Sequence, residues 1–286
     1  MQFPYIQIIK DAFRDYTKRF GVFFLIIYAF TAASELSRQV MLENFVRLQW
    51  EPDKFSYFHP LIFFPAAVAI LLVFWGFASL YFCFIGMSAG QSVLNGLKNL
   101  HRYSLFVLLA TFISFTAFMA LPLIALTILR FFGIQMEIVT QDITMYLVAL
   151  PPMLVLGVPG IYMAVSLSVA PFILVLEKRG LVASAWLSFQ RVSRFSLKIA
   201  SLLIGTFLGC GIIYILVLNG IFMAKLSLLA DMSLRKESML RVFIYSLPWV
   251  LVSIYFDLVV YHMYYFLKKD SEENGVKTVK QEEIAS

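Results

Sequence analysis

From Pro60 to Gly86 the chain runs for twenty-seven residues without a single charged side chain. An unbroken helix of that length is about 40 Å long at 1.5 Å per residue, enough to cross the roughly 30 Å hydrocarbon core of a bilayer. Composition extends the argument to the rest of the chain. Apolar residues make up 61% and charged residues only 14%, where soluble domains hold about half and about a quarter. The reading is an all-α, polytopic membrane helical bundle of about six transmembrane helices.

The other five runs are less uniform. The first covers about residues 20 to 34 and borrows from its flanks toward Met41 to reach a bilayer's width. Polar residues 35 to 59 follow, read as a loop whose Trp50, Phe55, Tyr57 and Phe58 suit an interface. Pro65 lies inside the second span and frees a carbonyl that a neighbour must satisfy. The third span is about residues 104 to 129, interrupted by Pro122, and ends in a loop at 130 to 142. Residues 145 to 176 form the fourth, holding Pro151, Pro152, Gly157, Pro159, Gly160 and Pro171. It is too long and too broken for one straight helix, and an irregular stretch is expected at 151 to 160. The fifth is about 199 to 223, where Gly205, Gly209 and Gly211 would allow close helix approach. The sixth is about 242 to 267, and the polar tail 268 to 286 is expected to be disordered.

Three basic amphipathic stretches precede spans one, three and five, beginning at residues 3, 87 and 181. Residues 1 to 19 read as an interfacial helix. In the third stretch Val182, Ala185, Trp186, Phe189 and Val192 recur at helical spacing, with Ser184, Ser188, Gln190, Arg191 and Arg194 on the other side. Such a helix is expected to lie in the headgroup plane on its apolar face. The chain therefore resembles three units of belt helix plus hairpin, although identity between the units is poor. Of the 23 lysines and arginines, fifteen fall on the side of the termini and eight on the other. The positive-inside rule then places both termini in the cytoplasm. The bases between residues 225 and 241 dissent, which leaves open a partly interfacial segment there.

The segment Pro171, five residues, Glu177, two residues, Gly180, seven residues, Ser188, then a basic run and Phe195 resembles bacterial multi-span proteins related to the glycerophosphoryl diester phosphodiesterase membrane domain. Ser184 stands where that family has alanine, and Phe189 where it has the aromatic after the serine. The opening IIKDAFRDYTKRFGVFFLII, residues 8 to 27, is similar to the family's first helix, and the two matches cover under a fifth of the chain. The resemblance implies a six-helix bundle in the bacterial cytoplasmic (inner) membrane, with Pro171, Glu177, Gly180 and Ser188 forming a structural turn. In fused members the phosphodiesterase is a separate domain, for which 286 residues leave no room beside six spans.

Catalytic and metal signatures are thin. The histidines are His59, His101 and His262, and no paired-carboxylate, H-E-x-x-H or Walker-type pattern occurs. Gly86-Met87-Ser88-Ala89-Gly90 matches G-x-S-x-G, but a nucleophile elbow needs a strand before it. No acid lies between Lys54 and Glu137 to orient His101. Cys83 and Cys210 sit in apolar runs with no His or Cys nearby, so they read as packing residues. No enzyme activity, cofactor, metal or nucleic-acid partner is expected.

What remains is lipid. Arg179, Arg191, Arg194 and Lys198, beside Trp186, form a candidate site for anionic headgroups at the cytoplasmic face; Glu177 would alternatively make a local ion pair or cap there. Asp257, ten residues before Leu267, is expected near mid-membrane. It would turn inward against the fourth or fifth span, with Tyr146, Tyr162, Ser166, Ser168, Thr206, Tyr214 or Tyr261 as partner. The expected function is a non-enzymatic scaffold or accessory protein in envelope maintenance or lipid organisation, with membrane-protein partners or a second copy. The alternative is a small-molecule or lipid transporter using the broken fourth span and Asp257.

Overall fold

The computed structural model describes residues 3–49, 59–131, 155–228 and 234–285. Among the described residues there is no strand, and the helices are α1 Tyr5–Gln49, α2 Pro60–Phe84, α3 Ala89–Phe131, α4 Val158–Leu167, α5 Ala170–Leu176, α6 Leu181–Ser193, α7 Ser196–Leu228 and α8 Leu234–Ala285. Six apolar segments are long enough to cross a membrane, with α4 and α5 together supplying one of them. The protein is thus a multi-pass, all-α membrane bundle. The polar loop expected at 35 to 59 is helical as far as Gln49, because Ser34, Ser37 and Asn44 hold this part of α1 against α2. Residues 130 and 131 likewise end α3, and the stretch 225–241 is helical at 225–228 in α7 and at 234–241 in α8. Residues 50–58, 132–154 and 229–233, with Pro151 and Pro152, lie outside the described residues.

Prolines mark where helices begin. Pro60, Pro159 and Pro171 stand in the first turns of α2, α4 and α5, where a missing N–H is no loss. Pro171 also divides the fourth span. Its ring would clash with the carbonyl four residues earlier, at Leu167, and α4 ends on that residue. Of the irregular stretch expected at 151 to 160, residues 151–154 lie outside the described residues and the rest shows one turn, at Gly157; a second break follows at Ser168 and Val169. Pro65, inside α2, releases the carbonyl of Leu61, and Asn44 of α1 donates its side-chain amide to that oxygen at 3.0 Å. Ser37 donates to the carbonyl of Pro65 and Ser34 to that of Ala69, each at 2.9 Å. A polar stripe on α1 therefore repairs and fastens α2.

The spans form a ring. In order around it, α3 packs on α2, α2 on α1, α1 on α8, α8 on α7, and α7 touches α4, which packs back on α3. Inside run α5 and the second half of α8, the most enclosed segments. Phe172, Ile173, Leu174 and Val175 are buried, as are Ile254, Leu258, Val259 and Met263. Both termini lie at one end, where Phe3 meets the rings of Phe266 at 5.4 Å and Phe195 at 5.7 Å.

Several sequence expectations need correction. Residues 5–19 are no separate interfacial helix but the first turns of α1, laid along α8, where Tyr16 meets the ring of Tyr255 at 5.9 Å. Residues 89–103 likewise open α3 and pack on α2, with Trp75 Nε1 donating to the Val93 carbonyl at 2.9 Å. Only the third belt, α6, is a helix of its own. The glycines of α7 do not mediate close packing, since nothing lies within 4 Å of a Cβ built on Gly205, Gly209 or Gly211. Close approach occurs at Gly96 against Ser79 and at Gly160 against Phe118 instead. The tail is helical from its first residues, because α8 runs on through Lys268 and Asp270.

Candidate functional site

The turn between α5 and α6 organises the end of the bundle that carries both termini. Helix α5 stops at Glu177, and Lys178 then takes a left-handed conformation with φ of 54°. That is the position a glycine usually fills after a helix. Gly180, expected in this turn, has ordinary extended values, with φ of −68° and ψ of 162°, and stands at the start of α6.

Helix α6 turns most of its apolar face outward and packs its serine face on the bundle, with Val192 of the apolar set buried beside the serines. Ser184, Ser188 and Val192 are buried against the bundle, while Val182 is 83% and Trp186 62% exposed. The small serines let α6 approach α4 closely, and Ser188 donates its hydroxyl to the Ser166 carbonyl at 2.6 Å. On the outer side Trp186 stacks with Phe189 at 6.3 Å.

Arg191 turns inward with Ser188. Its Nη1 meets Glu177 Oε1 at 2.7 Å, and only 8% of its side chain and 12% of that of Glu177 are exposed. Tyr264 of α8 donates its hydroxyl to the same carboxylate oxygen at 3.0 Å. Burial alone would raise the Glu177 pKa, but the hydrogen bond and charge of Arg191, the Tyr264 hydroxyl and the charge of Lys268 outweigh it and hold it below its usual range. Three elements are tied by this one carboxylate. The local ion pair weighed for Glu177 is the arrangement present, and Arg191 is therefore not free for a headgroup.

The remaining basic residues divide. Arg194 reaches Asp270 of α8 at 3.4 Å while staying 57% exposed. Arg179 and Lys198 are exposed, and the carbonyl of Arg179 accepts a hydrogen bond from Arg102 Nη2 at 2.6 Å. Pro171 is half-buried at the start of α5.

Above the Glu177 cluster stands a column of rings. Tyr264 faces Phe172 at 5.7 Å, Phe172 faces Tyr81 at 4.2 Å, and the hydroxyls of Tyr81 and Tyr103 lie 3.3 Å apart. Tyr261 joins it, 5.3 Å from Phe84, the last residue of α2. Asp257, one turn on along α8, is within electrostatic reach of Tyr81 and Tyr103. Its Oδ2 is buried and makes no hydrogen bond among the described residues. So the carboxylate turns inward, within reach of hydroxyls on spans two and three. It also lies only about one helical turn, some 6 Å, inside the level where α2 ends. Of the hydroxyls considered for it, Tyr146 lies outside the described residues, and none of the others bonds to it.

Sequence reading missed Tyr264, Asp270 and the Tyr81–Tyr103 pair. A signal was present, since Asp257, Tyr261, Tyr264 and Lys268 recur at helical spacing as a polar stripe in an apolar run. No group of three or more His, Cys, Asp or Glu suited to a metal occurs among the described residues. The chain matches no family model, no curated protein and no solved structure.

Proposed function

We propose that this chain is a non-enzymatic integral membrane protein of the bacterial cytoplasmic membrane, a scaffold or accessory protein that organises anionic lipid in envelope maintenance. Both termini are cytoplasmic in this reading, as the excess of bases at that end requires. One observation carries it: α6 turns Val182 and Trp186 outward, flanked by the exposed Arg179, Arg194 and Lys198. An outward apolar face with a rim of bases is what a helix needs to sit in an anionic headgroup layer. The resemblance of the α5–α6 turn to the glycerophosphoryl diester phosphodiesterase membrane domain agrees with this setting. A second copy or another membrane protein would be held laterally, through the open apolar sides of α3 and α7.

Each base near a negatively charged leaflet adds about 1 kcal/mol. Arg194→Glu with Lys198→Glu should therefore strip most of the weak, salt-sensitive anionic lipid seen by native mass spectrometry. Retention equal to the parent protein would reduce the basic rim to a topology signal.

A transporter reading has its own support in the break at Ser168–Val169 and the unpartnered Oδ2 of Asp257. It requires a solute flux in proteoliposomes that Asp257→Asn abolishes. With no flux for either protein across lipids and metabolites, the scaffold reading stands alone.

A further inference from the structure

An apolar groove of about 500 Å³ opens on the surface of the ring between α3 and the α4–α5 span. Phe106, Ala110 and Phe118 line one wall, and Gly160, Ala164 and Pro171 the other. Hydroxyls enter only from Thr111, Ser114 and Ser168, and that of Ser168 is already given to the Val165 carbonyl at 2.7 Å. From Phe106 to Phe118 the groove runs twelve residues, about 18 Å along α3, close to the roughly 15 Å depth of one leaflet's hydrocarbon.

The two ends differ. At the far end α3 and α4 touch, because a Cβ on Gly160 would lie 2.5 Å from the Phe118 backbone, and the groove has a floor there. At the near end, one turn before Phe106, stands Arg102, whose Nη2 is fixed on the Arg179 carbonyl at 2.6 Å. Leu181 and Ala185 of α6 pack beside Phe106 at this mouth. Neither guanidinium has a carboxylate partner among the described residues, although Arg191 and Arg194 nearby both do. The Arg102 guanidinium and the backbone of the exposed Arg179 thus meet near the open end of a slot that is apolar along its length and narrowed at Gly160.

We propose that this groove is a specific site for one anionic phospholipid, an acyl chain filling the slot and the phosphate held by Arg102 and Arg179. A planar guanidinium pairs with two phosphate oxygens at once, and a second arginine beside the first adds further attraction for the single negative charge of a phosphodiester headgroup. The site rests on the reading that the face carrying both termini meets lipid headgroups. It differs from the rim in holding a single lipid by its tail as well as its charge.

The test is native mass spectrometry of the full-length protein taken from vesicles of phosphatidylethanolamine and phosphatidylglycerol and washed at high salt. One phosphatidylglycerol per chain should remain. Ala164→Phe fills the slot from an exposed position and should lower that occupancy roughly tenfold or more, with the thermal unfolding midpoint confirming the fold. Thr111→Phe, also at an exposed site in the groove, should act in the same way. Replacing both Arg102 and Arg179 by Gln should keep a lipid but cut the preference for phosphatidylglycerol by about an order of magnitude. The site is overturned if both phenylalanine variants keep the salt-resistant lipid, or if the preference survives without the arginines. The Arg194→Glu, Lys198→Glu pair should leave this lipid in place, so loss of the rim and loss of the groove are read separately.

Discussion

With 8% of its side chain exposed and a carboxylate at 2.7 Å, Arg191 is a buried charge balanced by one partner. Removing either member strands the other, at a cost of about 3–5 kcal/mol, whereas removing both together costs much less. Arg191→Met alone should therefore lower the thermal midpoint in detergent more than Arg191→Met combined with Glu177→Gln. The same pair sets a pH dependence. Because the folded pKa of Glu177 lies below its ordinary value of 4.5, its contribution is complete above that value and is lost as pH falls through the folded pKa. Thermal midpoints measured from roughly pH 5 to pH 3 should fall for the parent protein, and Glu177→Gln should flatten the fall. Lys178 presents the opposite case, an exposed residue held at φ of 54° where a Cβ costs about 1–2 kcal/mol. Lys178→Gly should leave the midpoint unchanged or raise it, while the β-branched Lys178→Val should lower it.

Helices α3 and α4 meet so closely at Gly160 that any larger side chain must part them. Gly160→Leu should cost about 1–3 kcal/mol by overpacking, and Gly205→Leu on the open side of α7 should unfold close to the parent protein. In sequence Gly205 reads as a contact and Gly160 as part of a broken span, and the misjudgement has a physical source. A small-residue pattern shows that a helix can be approached, and only its neighbours decide whether it is. For α6 the limits and the two faces were plain from Val182, Ser184, Trp186 and Ser188. In water the apolar face would be the buried one, but a chain surrounded by hydrocarbon gains nothing by hiding Val182 and Trp186, and close packing favours the serines. The six spans and the neighbourhood of Glu177 and Arg191 were legible because charge, length and sequence proximity encode them directly. The surroundings of Asp257 were not, because which side chains of other helices come near it is decided by tertiary packing, which brings in Tyr81 and Tyr103 from distant parts of the chain.

Six spans with both termini at one end fix which parts of the molecule can be reached together. In a background lacking Cys83 and Cys210, a cysteine at Ser271 should react with a membrane-impermeant maleimide only after the cells are broken, and one at His59 in intact spheroplasts. The reverse pattern would invert the orientation proposed from the bases. The ring is closed by α1 and α8, and there Asp15 meets His262 at 3.1 Å across 247 residues of chain. Ribosomes add about 5–20 residues per second, so the first helix waits some 12–50 s for the partner that covers Ile8 and Ala12. During that interval its seam is an unfilled place in an unfinished assembly, open to a chaperone, an insertase or another newborn copy. Helix α8 completes the seam that α1 begins, and until α8 emerges the ring stays open.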